Sequence, residues 1–347
     1  MSFGAEFLQE EEVLEQRQLP KESPRLDFKK GIYRVSDVSK EMDHTFHNGK
    51  PRGITTHIPD LDAHFTWKSG ELTCVTGYPQ HGKTEFTLFL MLLKAVYEGW
   101  RWVIFSPENY PAPELFDTLI HTYIGMSVDP YYGNRMSHNQ YQRGKEFIDA
   151  HFVYVYPQEA HTPEVIREYV EYLTSGETFS GTLKDPWNKM VHSYTGRDDL
   201  YLASQLPLEQ KVAREKNLCS IITAHPRAPG NLKNGDDFPH PTQYNLSGGA
   251  MWDNMCDNIL CLHRPDFLMD KTSTRTQFHS LKIKKQKLVG IPGMVEFMFE
   301  RRSNRYLYNG ASPLVRPGVQ PEIEMTHHVS KIPGTPGRDF IEPKFPF

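Results

Sequence analysis

Between residues 53 and 309, short β-rich runs alternate with longer stretches whose apolar residues recur every three or four positions. Side chains change face at every residue of a strand and return to one face about every 3.6 residues of a helix, so the two periods separate the elements. The strand candidates are residues 72–76, 102–106, 152–156, 218–224, 258–263 and 277–284, followed by a terminal hairpin of 295–299 and 305–308. Residues 72–76 and 218–224 are mostly apolar, as expected of strands covered on both faces. Directly after the first, Phe86, Phe89, Leu90, Leu93 and Val96 form one helical stripe, whose simplest use is core. Strands alternating with helices predict an α/β fold with a mostly parallel sheet flanked by crossover helices.

The flanks break this pattern. Residues 1–50 are charged and weakly periodic, predicting an arm and linker with one helix near 35–46. Beyond Gly310 come Pro313, Pro317, Pro321, Pro333, Pro336, Pro343 and Pro346, a density that predicts a tail without regular structure. Three parts result: an arm (1–50), an α/β domain (51–310) and a Pro-rich tail (311–347).

Composition narrows the setting. No apolar run approaches the roughly 18 residues of a membrane span. The first residues are acidic rather than basic and then apolar, so no secretory signal is expected. A net charge of −4, from 39 basic and 43 acidic residues, is no global nucleic-acid footprint, yet leaves room for a local basic channel. Cys74, Cys219, Cys256 and Cys261 form no C-x-x-C pair and read as buried thiols in a reducing compartment. A cytoplasmic protein without membrane contact is expected.

The first strand runs into Gly77, Tyr78, Pro79, Gln80, His81, Gly82, Lys83 and Thr84, and then into the amphipathic helix. This is G-x-x-x-x-G-K-[ST] in its strand–loop–helix setting. The glycines permit backbone angles a Cβ would forbid, so successive N–H groups can turn toward phosphate oxygens. The helix N-terminus, which Glu85 shares, adds its positive dipole end. Lys83 supplies a point charge and the Thr84 hydroxyl a ligand for Mg²⁺. ATP or another NTP is the expected cofactor, with Mg²⁺. The next strand ends in Ser106, Pro107 and Glu108. If it lies beside the first, Glu108 faces the γ-phosphate and can polarise the attacking water; from position alone a solvated loop acid fits equally well.

At this point the stretch "GITTHIPDLDAHFTWKSGELTCVTGYPQHGKTEF", with "WVIFSPEN", "KDPWNKM", "SIITAHPRAPG", "SGGAMWDNMCDNILCLHRPD" and "KIKKQKLVGIPGMVEFMFE", resembles the helicase domain of the DnaB-like family over residues 53–308. The nearer branch is that of the phage and mitochondrial, Twinkle-like primase–helicases. The resemblance implies a RecA-like core, a homo-oligomeric ring, commonly a hexamer, and NTP-driven movement along single-stranded DNA, 5′ to 3′, with duplex unwinding. It also implies roles. Lys83 and Thr84 are the P-loop pair, Glu108 the catalytic glutamate and Asp185 the Walker B aspartate that holds Mg²⁺ through its water. His225 is the γ-phosphate sensor, and Lys285 and Lys287 reach the neighbouring subunit's nucleotide.

Several departures stand out. "FSGTLK", before Asp185, is a poor buried strand, with Lys184 where the family is apolar. Lys287 stands where many relatives have Arg, keeping the charge without the bidentate fork. Pro207 falls in an expected helix over 200–216 and predicts a kink. Fifty residues leave no room for a primase region ahead of the ATPase domain. Two loops are candidates for DNA, 192–199 and 226–245; the second carries Arg227 and Lys233 among Gly, Asn and Pro. The helix at 35–46 is either an inter-subunit linker or a solvated arm. The acidic, aromatic segment 339–347 either docks a separate primase or polymerase or is inert. Two other functions use the same core: a RecA/RadA-type recombination ATPase, and a nucleotide-dependent scaffold or loader with little hydrolysis.

Overall fold

The computed structural model describes residues 31–131, 133–192, 197–229 and 237–314. Contacts divide the chain into two units, Met1–Pro51 and Arg52–Phe347. In the first, a 3-10 turn over Val35–Val38 leads into helix α1 (Ser39–Asn48). The turn is started by the Arg34 N–H, which donates to Asp37 Oδ2 at 2.7 Å. No residue of α1 is buried, and Met42 and Phe46 stand exposed.

The second unit is built on one sheet of nine strands. They are β1 (Leu72–Thr76), β2 (Trp102–Phe105), β3 (Phe152–Tyr154), β4 (Gly181–Lys184), β5 (Cys219–Ala224), β6 (Asn258–His263), β7 (Arg275–Ile283), β8 (Gly293–Glu300) and β9 (Arg305–Leu307). Their order is β3-β2-β4-β5-β1-β6-β7-β8-β9. The first six are parallel and the last three antiparallel. Helices α2 (Pro59–Asp62), α3 (Lys83–Glu98), α4 (Ala112–Ile124), α5 (His138–His151), α6 (Pro163–Gly176), α7 (Asp198–Glu215), α8 (Ala250–Met255) and α9 (Gln286–Val289) complete it. Alternation splits the core: Val75, Ile104 and Ile221 pack with α3, α4 and α5, while Leu72, Phe105 and Ile222 pack with α6, α7 and α8.

Two expectations change. β2 does not lie beside β1, because β4 and β5 come between them. The weak segment before Asp185 is a fully buried central strand, β4. Lys184, 2% exposed, survives there because α7 brings Glu209, 1% exposed, onto its ammonium. Arg167 of α6 donates to the other Glu209 oxygen at 2.9 Å and to Gln205 Oε1 at 2.9 Å. A buried charge persists when it is paired and hydrogen-bonded; sequence spacing could not reveal partners 25 residues along the chain. Pro207 sits inside α7 without ending it. All four cysteines are buried and free. Among the described residues no helix is long and apolar enough to cross a membrane.

Candidate active site

Parallel strands end together, so the residues just past β1, β2, β4, β5 and β6 collect along one edge of the sheet. β1 delivers the glycine loop. Gly77 has φ +146°, and a Cβ there would stand 2.3 Å from the Leu262 carbonyl oxygen. Gly82, φ +82°, faces the Tyr306 hydroxyl, which donates to its carbonyl at 3.3 Å. Neither position admits a side chain without displacing neighbours. α3 begins at Lys83, so its free N–H groups and positive dipole end point along the loop.

Lys83 is 6% exposed, and its Nζ donates to the carbonyls of Gly77 at 2.9 Å and Tyr78 at 3.0 Å. Burial lowers its pKa, while the charges of Asp185 and Glu108 oppose that shift. Glu108 therefore lies within the field of Lys83, even though two strands stand between β2 and β1. Its other cation is Lys189, 3.7 Å away at a largely exposed position.

Asp185 follows β4 and is 1% exposed. Three hydroxyls hold its carboxylate: Thr84 at 2.8 Å, Ser106 at 3.1 Å and Thr223 at 2.5 Å. Asn109 Nδ2 donates to Ser106 Oγ at 2.7 Å, which ties the Glu108 turn to the same cluster. Thr84 Oγ1 and the Asp185 carboxylate form a pair of hard oxygens beside Lys83, suited to Mg²⁺ completed by water and phosphate. Among the described residues no group of three His, Cys, Asp or Glu could hold a metal alone, consistent with that partial set.

His225 follows β5. Its N–H donates to Asn188 Oδ1 at 3.0 Å, and burial, with the charge of Lys83, pushes its imidazole down to about 4. The ring is thus a neutral hydrogen-bonding group at pH 7. His81 behaves differently. Its ring is fully buried behind the loop, accepts the Arg264 N–H at Nδ1 (3.1 Å) and is pushed down to about 3, mainly by burial. Its side chain faces aromatic rings, leaving its backbone to serve the loop. Pro79 and Gln80 are exposed on the rim, and Tyr78 is buried. Next to Gly82 lies a cavity of about 350 Å³ lined by Gln80, Glu85, Arg264, Phe299, Arg301 and Tyr306.

The two loop candidates converge. Arg197, Asp198 and Asp199 meet Arg227 and Gly248–Met251 around an open cavity of about 540 Å³. Lys233 lies outside the described residues. Lys285 and Lys287 are elsewhere, beyond the end of β7. Since β7 runs antiparallel to β6, they sit at the sheet edge opposite the phosphate loop of their own chain. Lys285 pairs with the buried Glu71 at 3.0 Å, whereas Lys287 is exposed.

No family model matches the chain. It is 24% identical over 294 residues to the Twinkle homolog protein, chloroplastic/mitochondrial, of Arabidopsis thaliana. That match takes in 82% of this chain and 40% of the relative, so the chain spans about two fifths of the relative's length. Among solved structures, one described as an ATPase domain superposes with a TM-score of 0.63 at 15% identity, over 80% of this chain and 99% of that one. A DnaB-like replicative helicase, solved for its interactions with primase, superposes with a TM-score of 0.61 at 14% identity, over 86% and 71%. The chain is similar in sequence to a Twinkle homolog and in fold to a DnaB-like replicative helicase. Its fold is that of their RecA-like ATPase domains.

Several residues of the site escaped the sequence reading. Ser106 and Thr223 orient Asp185 from two neighbouring strands, and their signal was a lone hydroxyl at a strand end. Arg264, after β6, donates to the Gln80 carbonyl at 3.2 Å and braces the rim of the loop. Tyr306 lies 224 residues from Gly82, so only the folded sheet joins them.

Proposed function

We propose that this chain is an ATP-dependent DNA helicase of the ring-forming kind, driven by hydrolysis at the edge of β1, β4 and β5. The observation that carries the reading is the Thr84–Asp185 pair beside the buried Lys83, under a loop whose Gly77 and Gly82 leave no space for a Cβ. Lys83 leaves its two carbonyls for the β- and γ-phosphates. Thr84 and Asp185 would hold a magnesium ion, which would supply charge neutralisation at the phosphates. Glu108 orients the attacking water and takes up its proton. His225, neutral and close to Gly77, exchanges hydrogen bonds as the γ-phosphate departs, and the segment after it moves. The cavity beside Gly82 has room for the base and ribose.

Arg227 and Arg197, on the two converging loops, contact DNA phosphates without regard to sequence. Lys287, exposed at the opposite edge, completes the site of the next subunit in the ring; Lys285 joins it only by leaving Glu71. Residues 1–50 serve as linker arm and 311–347 as a tail for a primase or polymerase, with the bacterial cytoplasm as the setting. The scaffold reading, which rests on the weak strand before Asp185 and on Lys at position 287, is less favoured, since that strand is formed and its lysine is paired.

The test is ATP hydrolysis by the wild type and Lys83→Ala, with and without single-stranded DNA. DNA-stimulated turnover, lost by about a hundredfold or more in Lys83→Ala, is expected. ATP binding without turnover in the wild type would turn the assignment to a scaffold.

A further inference from the structure

The segment after β5 is held in two separate places. At its base, Pro226 bridges Leu246, and the Arg227 N–H donates to the Asn245 carbonyl at 2.7 Å. Its returning arm is tied to the phosphate loop instead. Asp237 Oδ1 accepts the N–H of Leu268 at 2.9 Å, in the turn beyond β6. The next residue, Phe238, lays its ring 4.7 Å from that of Tyr78 and 5.9 Å from that of His81. Both partners are phosphate-loop residues, 5% and 0% exposed. Phe267 backs the same cluster, 4.9 Å from His81 and 6.3 Å from Phe238. The phosphate loop thus has two sides: phosphate-binding groups on one, the Phe238 ring on the other.

Tyr78 belongs to both sides. Its carbonyl accepts the Lys83 ammonium, and its ring carries Phe238. When Lys83 turns to a phosphate, that carbonyl loses a charge-assisted bond and its peptide must find a new setting. Close-packed rings cannot absorb the shift silently, since a radial gap of 0.5–1 Å forfeits about a quarter to a half of the contact energy.

We propose that Phe238 is a positioning residue that couples occupancy of the phosphate loop to the DNA-loop arm, a second route beside the one through His225. This rests on the motor reading above and deepens it. Coupling of this kind is reciprocal: a nucleotide that moves the arm changes DNA affinity by the same factor as DNA changes nucleotide affinity.

The test uses the full chain, fluorescent oligo(dT), and a non-hydrolysable ATP analogue with Mg²⁺. The quantity read is the ratio of oligo(dT) Kd values without and with the analogue. For the wild type a ratio of about fivefold or more in either direction is expected. In Phe238→Ala it should move toward unity by about half or more on a logarithmic scale, the remainder carried through His225, with Phe238→Tyr keeping the wild-type ratio. A merely structural defect would weaken DNA binding in both nucleotide states and leave the ratio alone. A wild-type ratio in Phe238→Ala would overturn the coupling role while sparing the motor. A ratio of one in the wild type itself, with both ligands bound, would overturn the motor reading and the coupling together. Should Phe238→Ala fail to fold, Phe238→Leu keeps the apolar volume without the ring stack and is held to the same criterion.

Discussion

Two consecutive residues, Lys184 and Asp185, are both buried charges, and their surroundings treat them in opposite ways. Lys184 points behind the sheet into a closed ionic network, where Glu209 answers its charge and Arg167 and Gln205 complete the hydrogen bonds. Asp185 points along the strand edge, where three neutral hydroxyls hold it. The first arrangement is finished without a ligand. The second keeps a negative charge directed at the phosphate loop and ready for a cation. Buried ionisable groups therefore need separate reading: a network that closes on itself argues for structure, and an oriented charge held by neutral groups argues for a site.

The strongest way to break this contrast is Glu209→Ala, which leaves Lys184 and Arg167 buried and unanswered. A loss of about 3–5 kcal/mol in urea unfolding is expected. Replacing all three together, Arg167→Met, Lys184→Met and Glu209→Leu, should recover most of it, because apolar groups of similar volume need no partner. Asp185→Asn is the counterpart at the edge. The amide oxygen still accepts a hydroxyl, and the amide nitrogen can donate to a hydroxyl that turns to accept, so the unfolding midpoint should stay near the wild type while turnover falls by about a hundredfold or more, read in a coupled ATPase assay.

A third treatment of buried titratable groups is to keep them uncharged. Among the described residues His81 Nε2 and His263 Nδ1 are buried without hydrogen-bond partners, and burial pushes the two rings down to about 3 and about 4. Above the ordinary value near 6.5 both states are neutral and nothing changes. As pH falls below it, the unfolded chain takes up protons that the folded chain refuses, so stability drops until about pH 4 for His263 and about pH 3 for His81. Urea unfolding free energies at pH 7 and pH 5 should differ by up to about 2 kcal/mol for each ring, and His263→Asn should shrink the difference. The smallest effect belongs to Arg227→Ala. It should weaken oligo(dT) binding modestly and lower the slope of log affinity against log salt by about 0.7, the share of one phosphate contact on a single strand.

The glycine loop was legible because spacing and setting are local: Gly77, Gly82, Lys83 and Thr84 lie within eight residues, flanked by a strand and a helix whose periods show in the chain. Most strands were legible for the same reason. β4 was not, since its one ionic residue looks prohibitive until α7 and α6 supply the partners. Nor was the place of Glu108, which depended on strand order; two intervening strands separate β2 from β1, and Asp185 and Ser106 bridge the gap.

By itself, then, the sequence determined the fold class, the phosphate loop and the sign of the charges offered to a nucleotide, since each comes from residues near one another in the chain. Only the tertiary structure decided which charges are spent on the fold and which remain for a ligand. Lys285 is engaged by Glu71 and Lys184 by Glu209, whereas Lys83 and Asp185 face the loop. The physical reason is that pairing energy depends on distance and desolvation. Both are properties of residues brought together from far along the chain, and no spacing in the sequence records them.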